Sequence, residues 1–330
     1  MYKKRVTLKD IAQKAGVSST VVSVVLNGRE DIQIAPDTRE RVHSAAKELG
    51  YVYTKPRRES SRPLISFVHS ESYDQHIGTS FFVTLASRLR SLCEQEGYGV
   101  QEIECSVSAP LPSYQTVLSS RARMIVSFNQ TFTELCLSQG HDVPLFQVQG
   151  ERRGADRCSL YLVDDRQVGE LAALRLLDQG RRYCAMIFPP LKGRCEQERF
   201  QTFRRTFESR KAGTVHIEMD SSAHKEIEAW FRKGKGEGFD SFFFFSDAMA
   251  LPALRGLQTG GRRVPEDASV IGTDNLYWGQ YTSPSLTTLN LHEELFAGRI
   301  FRDIRSFIQD GSFYPGETVI RPELLVRESG

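Results

Sequence analysis

From Leu64 onward, short apolar runs alternate with amphipathic stretches long enough for helices, and few folds satisfy that alternation. The runs at residues 64–69, 124–128, 145–148, 160–163, 184–188, 241–245 and 269–272 are apolar nearly throughout, rather than at every second position. A strand with no polar face is covered on both sides, which predicts parallel sheets with crossover helices. Helices are predicted over residues 81–96 and 167–177, with Gly97-Tyr98-Gly99 leading into a second strand. Four consecutive phenylalanines, Phe242 to Phe245, read as a buried strand. This many strands exceeds one open sheet of ordinary size, so two sheets are expected.

The residues before Pro63 follow a different pattern. Thr7 can cap a helix over residues 8–15, with Asp10 completing a variant capping box and Gly16 as its stop. Ser18 can cap a second helix over 19–26, which Asn27-Gly28 ends with residues tolerant of left-handed backbone. Pro36, Asp37 and Glu40 open a third, ending near Gly50. Leu8, Ile11, Ala12, Ala15, Val17, Val22, Val25, Val42 and Leu49 can form one small core, leaving Ser19, Thr20, Ser23, Val24 and Asn27 on the outer face of the second helix. A helix-turn-helix places such a face in the DNA major groove, and a plain three-helix bundle is the alternative reading.

Charge separates the same two regions. Residues 1–62 hold 13 Lys+Arg against 7 Asp+Glu, net +6, whereas the remaining residues are net −4 and the whole chain is +2. A basic head on an acidic body suits a polyanion, although a basic face is also a solubility feature.

Other classes fit poorly. The six cysteines are scattered without a C-x-x-C or a histidine at ligand spacing, so buried thiols are expected, with no disulfide scaffold and no metal site. No phosphate-binding loop, nucleophile elbow or His-Glu-x-x-His pair is present, so no catalytic residue and no cofactor is assigned. Gly234 to Gly238 precedes a strand and reads as a flexible turn. No apolar run reaches the roughly 18 to 20 residues of a membrane span, and Met1-Tyr2-Lys3-Lys4-Arg5 leads into a polar helix rather than a signal core. A cytoplasmic, nucleoid-associated protein with no membrane partner is expected.

The run VTLKDIAQKAGVSSTVVSVVLNG followed by APDTRERVHSAAKELGY resembles the DNA-binding head of the LacI/GalR family of bacterial transcriptional regulators. Two departures stand out. Val21-Val22-Ser23-Val24 replaces the family's usual Thr-Val-Ser-Arg, so Val24 offers only apolar contact where an arginine would read guanine. The connector from Thr54 to Pro63 contains no leucine to wedge into a minor groove, leaving Lys55, Arg57, Arg58 and Arg62 either to contact DNA or to form a solvated linker.

The resemblance continues in pieces through Val163-Asp164-Asp165, LAALRLLDQGRR, FDSFFFFSDAM, VPEDASVIGTDN, PSLTTLN and ELLVRES. It implies an all-α helix-turn-helix domain (1–58) and a linker (59–63). An α/β periplasmic-binding-protein-like effector domain (64–330) of two doubly wound subdomains follows. The first would span about 64–161 and 291–320, the second about 162–290 and 321–330, with three crossovers and a ligand cleft between them.

Asp274 follows a strand and should face that cleft, since open α/β sheets bind ligands at strand carboxyl ends. The resemblance adds Arg199, in ERFQTF, and Ser246, where the family usually has asparagine. Carboxylate and guanidinium suit sugar hydroxyls, although each could instead serve a structural ion pair or a helix cap. Phe81, Phe82, Tyr73, Tyr277 and Trp278 are candidates for an apolar wall, with Phe81 and Trp278 preferred, although aromatic residues at such spacing also form cores.

Taken with the resemblance, these features lead to a sequence-specific transcriptional regulator, a repressor in the preferred reading, gated by a sugar or sugar derivative. A solute-binding protein, or a sugar-modifying enzyme with a DNA-binding appendage, is the alternative. One helix-turn-helix reads few base pairs, so a homodimer on a palindromic double-stranded operator is expected. The contact is expected near residues 81–93. Assembly should stop at two chains, because the chain ends at Gly330 without leucine heptads.

Overall fold

The computed structural model describes residues 8–26, 34–49, 62–70, 81–105, 117, 122–139, 143–151 and 158–330. Thr7, Asn27, Gly50, Arg57, Arg58 and Tyr73, and the connector before Arg62, lie outside the described residues. The chain divides into two compact units, residues 1–62 and 63–330.

The smaller unit contains α1 (Leu8–Ala15), α2 (Ser19–Leu26) and α3 (Pro36–Glu48). Gly16 takes a φ of 67° in the turn after α1, where a side chain would be strained. The Ser18 hydroxyl accepts from the Val21 amide at 3.3 Å and caps α2. Ile11, Ala12, Ala15, Val22, Val25, Leu26, Val42, Ala45 and Ala46 form the core. Val24 is also buried, only 8% exposed, so it does not stand on the outer face of α2 as the sequence pattern implied. Three polar residues, Ser19, Thr20 and Ser23, share this eight-residue helix with five apolar ones, so its apolar surface is too broad for one stripe.

The larger unit opens with β1 (Leu64–Ser70), α4 (Phe81–Gln95), β2 (Gly99–Cys105), β3 (Met124–Ser127), α5 (Gln130–Gln139), β4 (Leu145–Val148) and β5 (Cys158–Val163). It continues through α6 (Asp165–Asp178), β6 (Tyr183–Phe188), α7 (Arg194–Glu208), β7 (Gly213–Glu218), α8 (His224–Arg232), β8 (Ser241–Phe244) and α9 (Asp247–Thr259). The last elements are β9 (Ser269–Thr273), a 3-10 turn (Tyr277–Tyr281), β10 (Thr287–Asn290), α10 (Glu293–Asp310), β11 (Glu317–Ile320) and β12 (Glu323–Leu325). Helix α6 starts two residues before its expected position, because the Asp164 carboxylate accepts from the Gln167 amide at 3.1 Å and caps it there.

Two six-stranded sheets result, ordered β11-β5-β4-β3-β1-β2 and β12-β10-β9-β8-β6-β7. The first is parallel throughout, and the second is parallel except for the antiparallel pair β10 and β12. Sheet membership makes the chain pass from one subdomain to the other three times: after β5, after β10 and after β11. The phenylalanines of β8 show why the strand pattern is apolar throughout. Phe243 packs in one core cluster while Phe242 and Phe244 pack in another, so helices cover both faces. Phe245 departs from the expected strand: it follows β8 and is only partly buried.

Candidate effector cleft

An open cavity of about 650 Å³, the solvent at its mouth included, lies between the two sheets of the larger unit. Its first-subdomain wall comes from Phe81 and Phe82 at the start of α4, Gln149 just after β4, and Leu291 at the second crossover. Opposite them stand Cys195 and Arg199 of α7, Ser221 and His224 around the start of α8, and Phe245, Ser246 and Ala248 at the β8–α9 turn. Asp274, immediately after β9, completes the wall. Strand carboxyl ends thus supply the cleft from both sheets.

Arg199 is held rigidly. It lies on the face of α7 that also buries Phe200, Phe203 and Phe207. Its Nε donates to Asp165 Oδ1 at 2.7 Å and its Nη1 donates to the Phe245 carbonyl at 3.2 Å. The guanidinium also sits 4.9 Å from the centre of the Phe245 ring, a cation–π arrangement. The ion-pair alternative and the cleft position therefore coexist in one side chain. Burial is the largest influence and opposes the arginine's charge, but Asp165, Cys195 and Asp274 together outweigh it and hold the guanidinium protonated. Burial pushes the Asp165 carboxyl up, with Arg199 opposing.

Asp274 stands at φ 110° and Asn275 at φ 55°, consecutive non-glycine residues in conformations that side chains rarely adopt. Burial pushes the Asp274 carboxyl well above the usual carboxylate range, reinforced by the Asp247 carboxylate. Such a group can donate a hydrogen bond when protonated and accept when ionised, both useful against hydroxyls. Ser246 occupies the N-cap of α9, but its hydroxyl does not cap the helix.

Phe81, Arg199, Ser246 and Asp274 thus line one cavity, whereas Trp278 does not. The positive-φ turn at Asp274 and Asn275 sends Leu276 inward, 8% exposed, and the next residues outward. Trp278 is 65% exposed, with its ring against Tyr277 at 5.3 Å. Tyr277 is likewise outside the cleft lining.

Several lining residues were not singled out from sequence. Gln149 stands at φ 59° before Gly150, and its Oε1 accepts from the Val163 amide at 3.3 Å. A polar Gln-Gly pair closing an apolar strand was the available signal. Ser221 and His224 follow β7 in a Ser-rich turn, and His224 Nε2 is buried without a hydrogen-bond partner. Cys195 also corrects the expectation of six buried thiols: the other five are buried, whereas it is partly exposed on the cleft wall. Its Sγ donates to Glu196 Oε2 at 3.1 Å, and burial pushes the thiol well above its ordinary range, so it is a poor nucleophile.

In the smaller unit Ser18 and Thr20 are exposed and Ser19 is partly exposed at the start of α2. Ser23 lies on α2, but nothing is described of its side chain. Among the described residues, no helix is long and apolar enough to cross a membrane, and no cluster of three or more potential metal ligands is found.

Residues 7–53 match the model of the bacterial regulatory proteins of the lacI family, and residues 173–330 match that of a periplasmic binding protein-like domain. The HTH-type transcriptional regulator CelR of Thermobifida fusca is 28% identical, with 99% of each chain covered. The HTH-type transcriptional repressor MelR of Bacillus subtilis is 26% identical, over 98% of this chain and 97% of that one. Among solved structures, a CelR–cellobiose complex superposes with a TM-score of 0.66 at 26% identity, covering 99% of this chain and all of that one. A lac repressor dimer bound to operator and an anti-inducer shares the fold, with a TM-score of 0.68 at 20% identity and 99% of each chain covered.

Proposed function

The chain belongs to the lacI family of bacterial regulatory proteins, and on that premise we propose that it is a transcriptional repressor gated by a sugar or sugar derivative. The reading is carried by one observation: Arg199 and Asp274 line the same cavity as the rings of Phe81 and Phe245. Apolar rings take the C–H surface of a sugar while the guanidinium and the carboxyl take its hydroxyls. CelR, whose cellobiose complex shares the fold, supports a carbohydrate class.

Residues 1–58 bind the operator. The polar N-terminal end of α2, with Ser18, Ser19 and Thr20, faces the major groove, and Ser23 shares that helix. Thr7, Asn27, Arg57 and Arg58 extend this surface on sequence grounds. Val24 is omitted because it is buried. A homodimer on a palindromic site supplies two half-sites. The protein acts in the cytoplasm by binding without turnover.

The test is operator retardation by the full-length chain, with a panel of neutral mono- and disaccharides screened for release or tightening. An active sugar should lose its effect with Asp274→Asn, while operator affinity without sugar stays within about twofold, because the substitution lies outside the head. Retention of the full sugar response by Asp274→Asn would remove the cleft assignment.

A further inference from the structure

Asp247 is fully buried, and it begins α9 directly behind the cleft wall. A buried carboxylate is costly unless donors satisfy it, so the donors it has gathered indicate what it is for. Its Oδ2 accepts from the Leu276 amide at 2.8 Å and its Oδ1 accepts from the Thr288 hydroxyl at 2.7 Å. Thr288 Oγ1 in turn accepts from the Asn275 amide at 3.2 Å. Arg327 secures the far side of the turn, its Nη2 donating to Asn275 Oδ1 at 2.7 Å. Gly272 permits this approach, because a Cβ there would run into the Asp247 carboxylate.

The backbone amides of the two residues after Asp274 are therefore both tied, directly or through Thr288, to one carboxylate. Asp274 and Asn275 themselves occupy strained positive-φ conformations that persist only when their surroundings over-determine them. We propose that Asp247 is the positioning residue of the cleft: it clamps the 274–276 turn in its left-handed form and so aims the Asp274 carboxyl into the cavity. The inference rests on reading the cavity as the effector site. It adds that the geometry of the ligand-facing carboxylate is set from the opposite side of the wall, by a residue absent from the cavity lining.

Amide hydrogen exchange of the full-length chain tests the clamp without any effector. In Asp247→Ala the Asn275 and Leu276 amides should exchange about tenfold faster or more, the loss expected when a buried hydrogen bond is removed. The amides of β8 and β9 should stay within about twofold, since their ladder is untouched. Asp247→Asn should stay within about threefold of wild type at Leu276, because its amide oxygen can still accept the bond. The Asp274 carboxyl carbon resonance supplies a reading that stability alone does not move: both variants remove the Asp247 charge, but only alanine frees the turn. Asp274 should therefore titrate differently in the two. Unchanged exchange in Asp247→Ala, equal behaviour of alanine and asparagine, or acceleration spread evenly over the strands would each overturn the proposal. Should Asp247→Ala fail to fold, Thr288→Val decides: it should speed exchange at Asn275, and an unchanged rate there overturns the clamp. A failed clamp leaves the Asp274→Asn sugar test standing, and the reverse also holds.

Discussion

Arg199 Nε lies 2.7 Å from Asp165 Oδ1, and the two side chains are only 5% and 1% exposed. Asp165 begins α6, straight after the first crossover, while Arg199 projects from α7 toward the cleft, so one contact ties a crossover to a cleft wall. Breaking a buried pair by truncating one member leaves the other charge uncompensated and costs about 3–5 kcal/mol. Arg199→Ala should therefore lower the urea midpoint as well as the sugar response. The double change Arg199→Met with Asp165→Leu should recover most of the stability and none of the response. Chemical denaturation beside operator-release assays separates the two roles. Recovery of both together would show that Arg199 acts only structurally.

Gly169 allows the close packing of α6 on α7. A Cβ there would collide with the Arg199 carbonyl oxygen and the Phe203 amide. Gly169→Ala should cost about 1–3 kcal/mol by overpacking and displace Arg199 from its cleft position. Thermal melts and sugar titrations check this, and operator binding without sugar should remain close to wild type.

Stability of the larger unit should fall as pH rises from about 4 to 7. Burial pushes the Asp247 carboxyl up from 3.8 to about 7, against the hydrogen bonds from Thr288 and Leu276. Between those values the unfolded chain has lost that proton while the folded chain retains it. The unfolded state thus binds fewer protons, and the slope of stability with pH is negative, approaching about 1.4 kcal/mol per pH unit for one such group. Asp274 and Asp165, both also raised, act in the same sense. Denaturant titrations across this range should show a shallower slope in Asp247→Asn, which cannot ionise. An equal slope would assign the effect elsewhere.

The head offers a contrast between two nearby positions of one helix. Thr20 is exposed and Val24 is buried. Thr20→Ala should leave the melting of the head within about 0.5 kcal/mol. It should weaken operator binding by about 1–3 kcal/mol, the value of a base contact. Val24→Ala should do the reverse, destabilising the head by about 1–3 kcal/mol through the cavity it leaves. Calorimetry and retardation gels on both variants distinguish these outcomes.

The strands were legible in the sequence because strands covered on both faces are written as unbroken apolar runs, as in β6 and β8. Asp274 was legible because it follows such a run, at the end where α/β sheets bind ligands. Gln149 was not, although it occupies the matching place in the other sheet, because nothing in its side chain announces the left-handed backbone that turns it toward the cleft. Trp278 was misplaced for a related reason. Two positive-φ residues, Asp274 and Asn275, turn the backbone shortly before it, and hydropathy carries no record of that. Val24 failed differently: a helix this short and this apolar has more than one buried face, so helical period alone cannot say which valine meets solvent.

The three crossings have a consequence for the order in which the protein comes into being. Residues 1–62 form their unit from one continuous stretch, but both sheets of the larger unit wait for distant chain. Strand β11 completes the first sheet beside β5, and β12 completes the second beside β10. Until those segments leave the ribosome, β5 and β10 are open edges, the places where a nascent sheet pairs wrongly. On a polysome, the unit that reads the operator can therefore be whole while the unit that governs it is still unfinished.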